Sequence, residues 1–361
     1  MSAPSRTIRL DPPATAMLWP GVGLAHRALR VPEVALGSGE LLVEVELATV
    51  CGSDLHTVSG RRPGPAPMVL GHETVGRVAH LGPGPAPVDV RGRSVAPGDR
   101  VAVGIYAACG HCPACRRGLP QKCAHLFKYG HAPGESLHGG YASHLHVRAG
   151  TPLAVVPEDL PAGVAAAIGC AAATAVAAVA AGTTGLGDLT GRRATVCGAG
   201  LLGLLATAML AERGASVTVI DPDASRRAAA PAMGAAAALD ATAEPPEAEV
   251  YLELSGAAAA ARAAPRRTAV GGVVVLAGTV SPGAPLDWEA QDVVRRLLTV
   301  RGVHNYTPAH LAEAAAWSAE ATARRPLADL FGVAHPLADL DQALEEAACG
   351  AAVRVGVVPH A

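Results

Sequence analysis

The sequence places a thiol, a hydroxyl, a carboxylate and an imidazole in one short segment, Cys51–His56 (CGSDLH). A second imidazole and carboxylate follow at His72 and Glu73, sixteen residues after His56. Thiolate, imidazole and carboxylate are the ligands of catalytic zinc sites, which take three protein ligands and keep one position open. The two segments therefore predict such a site, provided that another part of the chain supplies the third ligand. Read separately, the same side chains suit a core thiol, a surface histidine and a turn-forming aspartate.

Four of the eight cysteines lie close together in the segment 109–123 (CGHCPACRRGLPQKC), with the spacing C-x2-C-x2-C-x7-C. They are Cys109, Cys112, Cys115 and Cys123. In a cytosolic chain such clustering favours a metal over disulfides. Four thiolates close a tetrahedral shell around zinc without an open position, which predicts a structural site. An iron–sulfur cluster is the alternative, because it also takes four cysteines.

A third motif, Gly198–Gly203 (GAGLLG), has the pattern G-x-G-x-x-G between a strand-like and a helix-like run. Asp221 follows Gly203 by eighteen residues, at the end of the next strand-like run. This context is typical of a dinucleotide-binding turn, where the pyrophosphate approaches the glycines and the helix N-terminus. An aspartate here bonds the adenosine ribose and repels a 2′-phosphate, so NAD is favoured over NADP. The predicted cofactor-binding residues of this motif are Gly198, Gly200, Leu202, Gly203, Asp221 and Arg226.

The elements that must position these residues differ along the chain. Up to about residue 170, short strands alternate with Gly- and Pro-rich turns, which predicts a barrel-like all-β unit. From residue 193, strands alternate with helices, which predicts a parallel, doubly wound sheet. We expect the C-terminal tail to return to the first domain. Residues 1–170 and 303–361 would then form one domain, with 171–302 inserted as the other.

Composition sets further limits. Half of the residues are hydrophobic, 17% are charged and the net charge is −2, so no basic face is predicted for nucleic acid. The longest apolar run, 162–181, is mostly alanine, and we expect it to be too weakly hydrophobic to span a membrane. The first residues lack a continuous apolar core, so we expect no secretory signal and a cytoplasmic location.

In the order and separation of its motifs, the chain resembles the zinc-dependent medium-chain alcohol dehydrogenase family over nearly its whole length. The matching segments are CGSDLHTVSG, GHETVGRV, the four-cysteine segment, IGCAAAT, and GAGLLG with its aspartate. The resemblance implies an α/β protein with a GroES-like β-barrel catalytic domain and a Rossmann cofactor domain that binds NAD. It also implies two zinc ions per chain, one catalytic and one structural, and a homo-oligomer, either a dimer or a tetramer.

Residue by residue, the resemblance makes Cys51, His72 and Cys170 the ligands of the catalytic zinc. Cys170 taken alone would also suit a small residue in a packed helix. Glu73 matches a carboxylate beside the metal that is a direct ligand in some relatives. Asp54 matches the acceptor that orients the zinc-bound histidine.

The resemblance also implies a proton path and two further cofactor contacts. Ser53 matches a hydroxyl that bonds the substrate oxygen, and His56 matches the end of a relay to solvent. Thr174 matches a threonine near the nicotinamide, and Arg354 a basic residue that reaches the pyrophosphate. Zinc would polarise the substrate oxygen while hydride moves between substrate and NAD.

Lys128, His131 and His304 lie in segments that are not general to the family. Together with the GGY run at 139–141, these segments are similar to a branch of dehydrogenases associated with phosphonate metabolism. This likeness implies a phosphonate-bearing or otherwise polar small alcohol, aldehyde or ketone, with the three side chains helping to hold an anion. The alternative is that the three are ordinary loop or interface residues.

Two other functions stay open at this point. One is a polyol, cyclitol or sugar dehydrogenase of the same fold, in which zinc chelates adjacent hydroxyls. The other is a non-catalytic redox sensor that binds zinc and NAD(H). The complete set of zinc ligands, together with Ser53 and His56, favours an NAD-dependent zinc alcohol dehydrogenase.

Overall fold

The computed structural model describes residues 5–280, 285–350 and 352–359. The chain divides into two compact units. The first unit comprises Met1–Cys170 and Thr307–Ala361, and the inserted unit comprises Ala171–Tyr306. The break after residue 306 lies four residues beyond the boundary predicted after residue 302.

The strands number eighteen within the described residues. They are β1 (Ser5–Trp19), β2 (Arg27–Gly37), β3 (Leu41–Thr49), β4 (Met68–Val69), β5 (Glu73–Leu81), β6 (Arg100–Val103), β7 (Tyr106–Ala107), β8 (Phe127–Lys128), β9 (His144–Val147), β10 (Leu153–Val155), β11 (Arg193–Cys197), β12 (Ser216–Ile220), β13 (Ala237–Leu239), β14 (Ala248–Glu253), β15 (Thr268–Leu276), β16 (Thr299–Gly302), β17 (Phe331–Pro336) and β18 (Arg354–Val358).

Ten α-helices connect or cover these strands in the part of the chain that the structure describes. They are α1 (Gly52–Val58), α2 (Pro113–Arg116), α3 (Ala162–Ala167), α4 (Ala173–Thr183), α5 (Leu201–Glu212), α6 (Ala224–Ala229), α7 (Ala258–Arg267), α8 (Ala290–Arg295), α9 (Pro308–Thr322) and α10 (Leu340–Cys349).

A seven-stranded sheet forms the centre of the first unit, in the order β10-β6-β5-β3-β18-β17, with β9 also pairing with β3. β3 pairs antiparallel with β5, so that Thr49 at its end lies opposite Glu73 at the start of β5. β18 pairs antiparallel with β3, with Gly356 opposite Thr49. Because of this register, strand ends that are far apart in sequence meet at one place.

The N-terminal strands are longer than the sequence predicted. β1 has fifteen residues and β2 eleven, where short strands were expected, and both belong to a three-stranded sheet with β4. Inward side chains such as Ile8, Ala16 and Leu18 are buried against Leu42 and Leu137. This burial explains why the strands persist through Pro- and Ala-containing sequence.

The inserted unit is a parallel sheet of six strands in the order β13-β12-β11-β14-β15-β16. With β11 as the first strand, this is the 3-2-1-4-5-6 order of the doubly wound dinucleotide-binding fold. α5 follows β11 directly, across the turn that contains Gly198 and Gly200. The structure thus confirms the predicted parallel α/β architecture for this part of the chain.

The prediction about the apolar run at 162–181 needs a correction. In the structure this run belongs to the helical stretch Ala162–Thr183. Its hydropathy averages 2.1 over an 18-residue window, so it is long and apolar enough to cross a membrane by length and composition. The expectation that its alanines make it too weakly hydrophobic is therefore wrong. Since 78% of that window is buried inside the protein, the run is better explained as a core helix, which passes the same test.

Candidate metal centres and cofactor turn

Four side chains of the first unit converge on one point. Cys51, His72, Glu73 and Cys170 each offer a ligand atom, and these atoms all lie within 4.8 Å of one another. Cys51 immediately precedes α1, His72 immediately precedes β5, Glu73 is the first residue of β5, and Cys170 follows α3. Two sulfurs, a nitrogen and an oxygen at this separation fit the donor set of zinc. The structure thus brings the three predicted ligands together and places Glu73 beside them.

Cys170 lies in a π-helical turn, Ile168–Ala172, between α3 and α4. Such turns are rare and frequently occur at functional sites. At Gly169, a side chain would overlap the backbone carbonyl of Val103. The glycine therefore lets this turn pack closely against β6, which brings Cys170 beside the ends of β3 and β5.

The buried carboxylate of Asp54 orients the His72 ring through its Nδ1 atom. Asp54 Oδ1 lies 3.3 Å from His72 Nδ1, and Asp54 Oδ2 accepts hydrogen bonds from the Cys51 amide (3.0 Å) and the Tyr141 hydroxyl (3.1 Å). Although burial disfavours the charged imidazole, Asp54 raises the pKa of His72 to about 10. The same carboxylate favours a proton on Nδ1, which leaves Nε2 available to a metal.

Ser53 and His56 both belong to α1. Ser53 Oγ lies 3.3 Å from His72 Nε2, next to the ligand atoms. His56 is one turn later, and residues three apart share a helix face. Burial and, to a smaller extent, the charge of Arg61 lower the pKa of His56. The shared face supports the proton path, which stays a prediction.

The Glu73 carboxylate is fully buried, and each of its two oxygens accepts a hydrogen bond. Oε1 accepts a hydrogen bond from Arg354 Nη2 at 2.9 Å, and Oε2 accepts one from Thr49 Oγ1 at 2.5 Å. Arg354 Nη1 also donates to the Val50 carbonyl at 3.3 Å. Burial outweighs the effect of Arg354 and raises the pKa of Glu73 to about 7. Arg354 therefore holds Glu73 in place, while its assignment to the pyrophosphate stays a prediction.

The four cysteines of segment 109–123 form a second cluster. The sulfur–sulfur distances are 3.5 Å for Cys112–Cys115, 3.9 Å for Cys112–Cys123 and 3.4 Å for Cys109–Cys123. Four Zn–S bonds of about 2.3 Å in a tetrahedron separate the sulfurs by about 3.8 Å. A single ion therefore fits, whereas in an iron–sulfur cluster the cysteines bind different irons and stand further apart. The amides of Cys115 and Ala124 lower the pKa of Cys112 to about 6, which favours the thiolate that zinc binds.

The predicted cofactor turn joins β11 to α5. Gly198 has φ +104°, and a side chain at Gly203 would overlap the Gly198 carbonyl. At Gly200 an added Cβ would meet nothing within 4 Å, so the outer side of the turn is open. The half-buried Leu202 lies in the first turn of α5, which has twelve residues. An open glycine turn at a helix N-terminus suits a phosphate group.

Asp221 follows β12 directly, and its side chain also stabilises the glycine turn. Its carboxylate accepts hydrogen bonds from the amides of Ala199 (2.7 Å) and Asp223 (2.9 Å). The Arg227 guanidinium donates to the Asp221 carbonyl at 2.7 Å, while Arg226 Nε lies 3.8 Å from Asp223 Oδ2. The predicted preference for NAD is supported by this carboxylate beside the turn and stays a prediction.

The remaining predicted residues fall in both units. Thr174, at the start of α4, and His304 belong to the inserted unit, and their roles stay predictions. Lys128 and His131 belong to the first unit, where the ring centroids of His131 and His72 are 5.9 Å apart.

Two residues beside the ligand cluster were not predicted from the sequence: Thr49, which bonds Glu73, and Tyr141, which bonds Asp54. The GGY run drew attention to the position of Tyr141 but not to its bond with Asp54. Thr49 could have been suspected from its place at the end of the strand before Cys51.

Comparison with known families gives two consecutive matches. The family model described as alcohol dehydrogenase GroES-like domain matches residues 37–158. The model described as zinc-binding dehydrogenase matches residues 202–320.

Individual proteins match most of the chain. An L-threonine 3-dehydrogenase of Deinococcus deserti is 31% identical over 288 residues, which are 74% of this chain and 77% of that protein. The crystal structure of an alcohol dehydrogenase from Thermotoga maritima aligns with a TM-score of 0.88 at 27% identity, covering 96% of this chain and 99% of that one. The crystal structure of a zinc-binding dehydrogenase of Sinorhizobium meliloti 1021, bound to NADP, aligns with a TM-score of 0.82 at 26% identity, covering 96% of this chain and 99% of that one.

Proposed function

Because the chain belongs to the zinc-dependent medium-chain alcohol dehydrogenase family, we propose that it transfers hydride between NAD(H) and a small polar alcohol, aldehyde or ketone. Zinc and a nicotinamide dinucleotide are its cofactors. The observation that carries the proposal is the convergence of Cys51, His72 and Cys170, with the Ser53 hydroxyl 3.3 Å from His72 Nε2.

The candidate site residues of the first unit have separate chemical roles. Bound by Cys51, His72 and Cys170, zinc supplies Lewis acidity toward the substrate oxygen, and the nicotinamide carries the hydride. During oxidation the Ser53 hydroxyl hydrogen-bonds the substrate oxygen, accepts its proton and releases its own hydroxyl proton toward His56. His56, half-buried on the same face of α1, passes that proton to solvent.

The surrounding buried groups keep these residues in position. Asp54 holds the proton on His72 Nδ1, and Tyr141 holds Asp54 through its hydroxyl. Arg354 keeps Glu73 fixed beside the ligand atoms. Such outer contacts orient ligands and tune their basicity.

We assign the cofactor preference to Asp221. A carboxylate at this place hydrogen-bonds the ribose diol of NAD and repels the 2′-phosphate of NADP. Arg227 is engaged by the Asp221 carbonyl, so it is not directed to a 2′-phosphate. Asp221→Asn is expected to lower the ratio of kcat/KM values for NAD+ and NADP+, and an unchanged ratio would contradict this assignment.

A substrate panel tests the proposed activity. Zinc-loaded protein is assayed for NAD+ and NADP+ reduction with small secondary alcohols, L-threonine, a phosphonate-bearing alcohol, polyols, cyclitols and sugars. We expect NAD+ reduction with small polar alcohols to exceed that with polyols. Highest kcat/KM with a polyol, cyclitol or sugar would establish that class instead. Absence of turnover with every alcohol, in protein that binds two zinc ions and NADH, would contradict the proposed activity and favour the non-catalytic redox sensor.

We also propose a cytoplasmic homo-oligomer, a dimer or tetramer, that forms through the inserted unit. β16 is an edge strand of its sheet, and edge strands can pair with another chain. Around this edge lie exposed apolar side chains, a feature of interaction sites. They are Val270, Val294, Leu297 and Val300. Light scattering should give a mass of two or four chains, and a monomer would contradict the proposal.

A further inference from the structure

A buried glutamate ends a strand at the point where the strand order of the inserted sheet reverses. β11 and β14 are neighbours at this reversal, and Glu253, the last residue of β14, lies opposite Cys197, the last residue of β11. On its other side Glu253 lies opposite Leu276, which ends β15. Ligands of doubly wound sheets bind outside the carboxyl ends of the strands at such a reversal. Glu253 is therefore placed near an expected dinucleotide, although it belongs to neither the glycine motif nor the metal-ligand motifs.

One carboxylate oxygen of Glu253 holds the β14 loop, which we define as residues 254–257. Oε1 accepts hydrogen bonds from the Ser255 amide at 2.8 Å, the Ser255 hydroxyl at 2.8 Å and the Gly256 amide at 2.7 Å. The Ser255 hydroxyl oxygen accepts a further bond from the Ala257 amide at 3.0 Å. Ser255, Gly256 and Ala257 are exposed, so apolar packing does little to order them. The buried carboxylate therefore anchors an exposed loop to the edge of the sheet.

The β14 loop packs directly against the glycine turn between β11 and α5. A Cβ atom added at Gly198, where φ is +104°, would lie 3.1 Å from both the amide nitrogen and the Cα atom of Ser255. On the other side of the loop, a Cβ atom added at Gly256 would lie 2.9 Å from the Gly278 carbonyl oxygen. Backbone thus meets backbone with no side chain between them, which glycine permits. A displaced β14 loop would therefore alter the surroundings of Gly198.

Two carboxylates support the glycine turn from different strands. Asp221, after β12, accepts a hydrogen bond from the Ala199 amide within the turn at 2.7 Å. Glu253, at the end of β14, acts on the turn through the β14 loop. Since the pyrophosphate is expected at the glycines and the N-terminus of α5, its binding depends on both supports.

The second carboxylate oxygen of Glu253 argues that stability alone does not explain this residue. Glu253 is fully buried, and Oε2 has no hydrogen-bond partner in the part of the chain that the structure describes. Burial of a carboxylate oxygen without a donor is unfavourable. An apolar residue would avoid that cost but would not hold three donors at one point. The arrangement favours a role in keeping the β14 loop in one conformation.

We propose that Glu253 is a positioning residue for the dinucleotide cofactor. By fixing the Ser255 and Gly256 amides, it keeps the β14 loop against Gly198 and so maintains the glycine turn in the form that receives the pyrophosphate. Glu253 is buried and makes no contact with the cofactor itself. The inference rests on the cofactor of the proposed function and is independent of the substrate. If the competent loop is only partly populated, the apparent affinity for the cofactor falls by that fraction.

NADH binding to zinc-loaded protein, measured by calorimetry, tests this role. Glu253→Ala removes the acceptor of three hydrogen bonds, and the Kd for NADH should rise by about 10-fold, which corresponds to a competent loop in about one molecule in ten. Glu253→Gln keeps an oxygen at the same place without the charge, so a rise of about threefold is expected. In steady-state kinetics KM for NAD+ should rise in the same order, while kcat stays within about twofold of the wild-type value.

Glu249→Ala is the matched control. Glu249 lies in the same strand as Glu253 but toward the end remote from the β14 loop. Its carboxylate accepts a hydrogen bond from the Arg193 amide at the start of β11, at 2.9 Å. The Kd for NADH should change by less than about twofold in this variant, as for other substitutions away from a site. An equal rise of Kd in Glu249→Ala and Glu253→Ala would overturn the inference, because the effect would not be local to the loop.

Amide hydrogen exchange keeps the test decisive if Glu253→Ala does not fold. In cofactor-free Glu253→Gln, the Ser255 and Gly256 amides should exchange faster than in wild type. The Leu254 amide is the internal reference, because it bonds the Cys197 carbonyl at 3.0 Å and not the carboxylate. Unchanged exchange of both loop amides would overturn the inference. A lower thermal midpoint with an unchanged Kd for NADH would also overturn it, because Glu253 would then be purely structural.

The binding measurements separate this inference from the proposed function. Wild-type protein that binds NADH but turns over no alcohol contradicts the proposed activity, and the Kd values of the Glu253 variants still decide the role of this residue. Turnover in the wild type, with equal Kd values for NADH in the wild type and the Glu253 variants, overturns the inference and leaves the proposed activity intact. If the wild type binds no NADH, both fail.

Discussion

The two candidate zinc sites of the first unit are built in different ways. The four-cysteine cluster takes all of its ligands from one segment, 109–123, and the backbone amides of Cys109 and the adjoining Ala124 donate to its sulfurs. The other cluster consists of Cys51, His72 and Cys170 from three distant segments. The buried side chains of Asp54 and Tyr141 orient its histidine. A closed site can thus be encoded locally, whereas an open, reactive site depends on the register of a whole sheet.

This difference predicts separate consequences when each site is damaged. Loss of a ligand from the four-cysteine cluster should act on stability, because metal binding there contributes to folding free energy. Loss of a ligand from the Cys51 cluster should act on turnover, because its metal serves the substrate.

The largest effect is expected for Cys170→Ala. Removal of one ligand of the reactive zinc should lower kcat by about 10³-fold or more, since Lewis-acid catalysis supplies several kcal/mol. Steady-state kinetics measures the loss. Cys349→Ala is the control, because Cys349 is an exposed free cysteine at the end of α10. Comparable kcat values in the two variants would return Cys170 to the role of a helix-packing residue.

A smaller effect, on stability, is expected for Cys112→Ala. Loss of a zinc ligand in the closed cluster should cost about 3 kcal/mol or more, which lowers the thermal midpoint by about 6 °C or more. Calorimetry measures the midpoint, and kcat well below it should stay near the wild-type value. A loss of kcat with no change in the midpoint would reverse the roles assigned to the two clusters.

The smallest effect is expected for Tyr141→Phe. Without its hydroxyl, Asp54 orients His72 less firmly, and affinity for the reactive zinc should fall by about 10-fold. Chelator competition measures that affinity. Tyr251→Phe is the matched control, because its buried hydroxyl donates to the Ala260 carbonyl in the inserted unit. If both variants bind zinc equally well, Tyr141 has no positioning role.

The same contrast explains what the sequence could predict. The spacing of the four cysteines specifies their cluster, because the ligands are neighbours along the chain. The glycine pattern and its aspartate specify the dinucleotide-binding turn for the same reason. Cys51, His72 and Cys170 could be connected only through family resemblance, because more than a hundred residues separate the first from the last.

Contacts between distant strands could not be read from the sequence. The bond from Thr49 to Glu73 depends on the register of β3 with β5, and the pairing of Arg354 with Glu73 depends on β18. The bonds from Asp221 to the amides of Ala199 and Asp223 depend on how tightly the glycine turn closes. Local patterns therefore predict the elements and the ligand types, while packing decides which groups support them.

Zinc content per chain tests the two-site account most directly. Metal analysis of purified, zinc-loaded protein should give two zinc ions per chain in the wild type and one in Cys51→Ala, because that variant retains the complete four-cysteine cluster. One zinc ion per chain in both proteins would contradict the account, since the Cys51 cluster would then hold no metal.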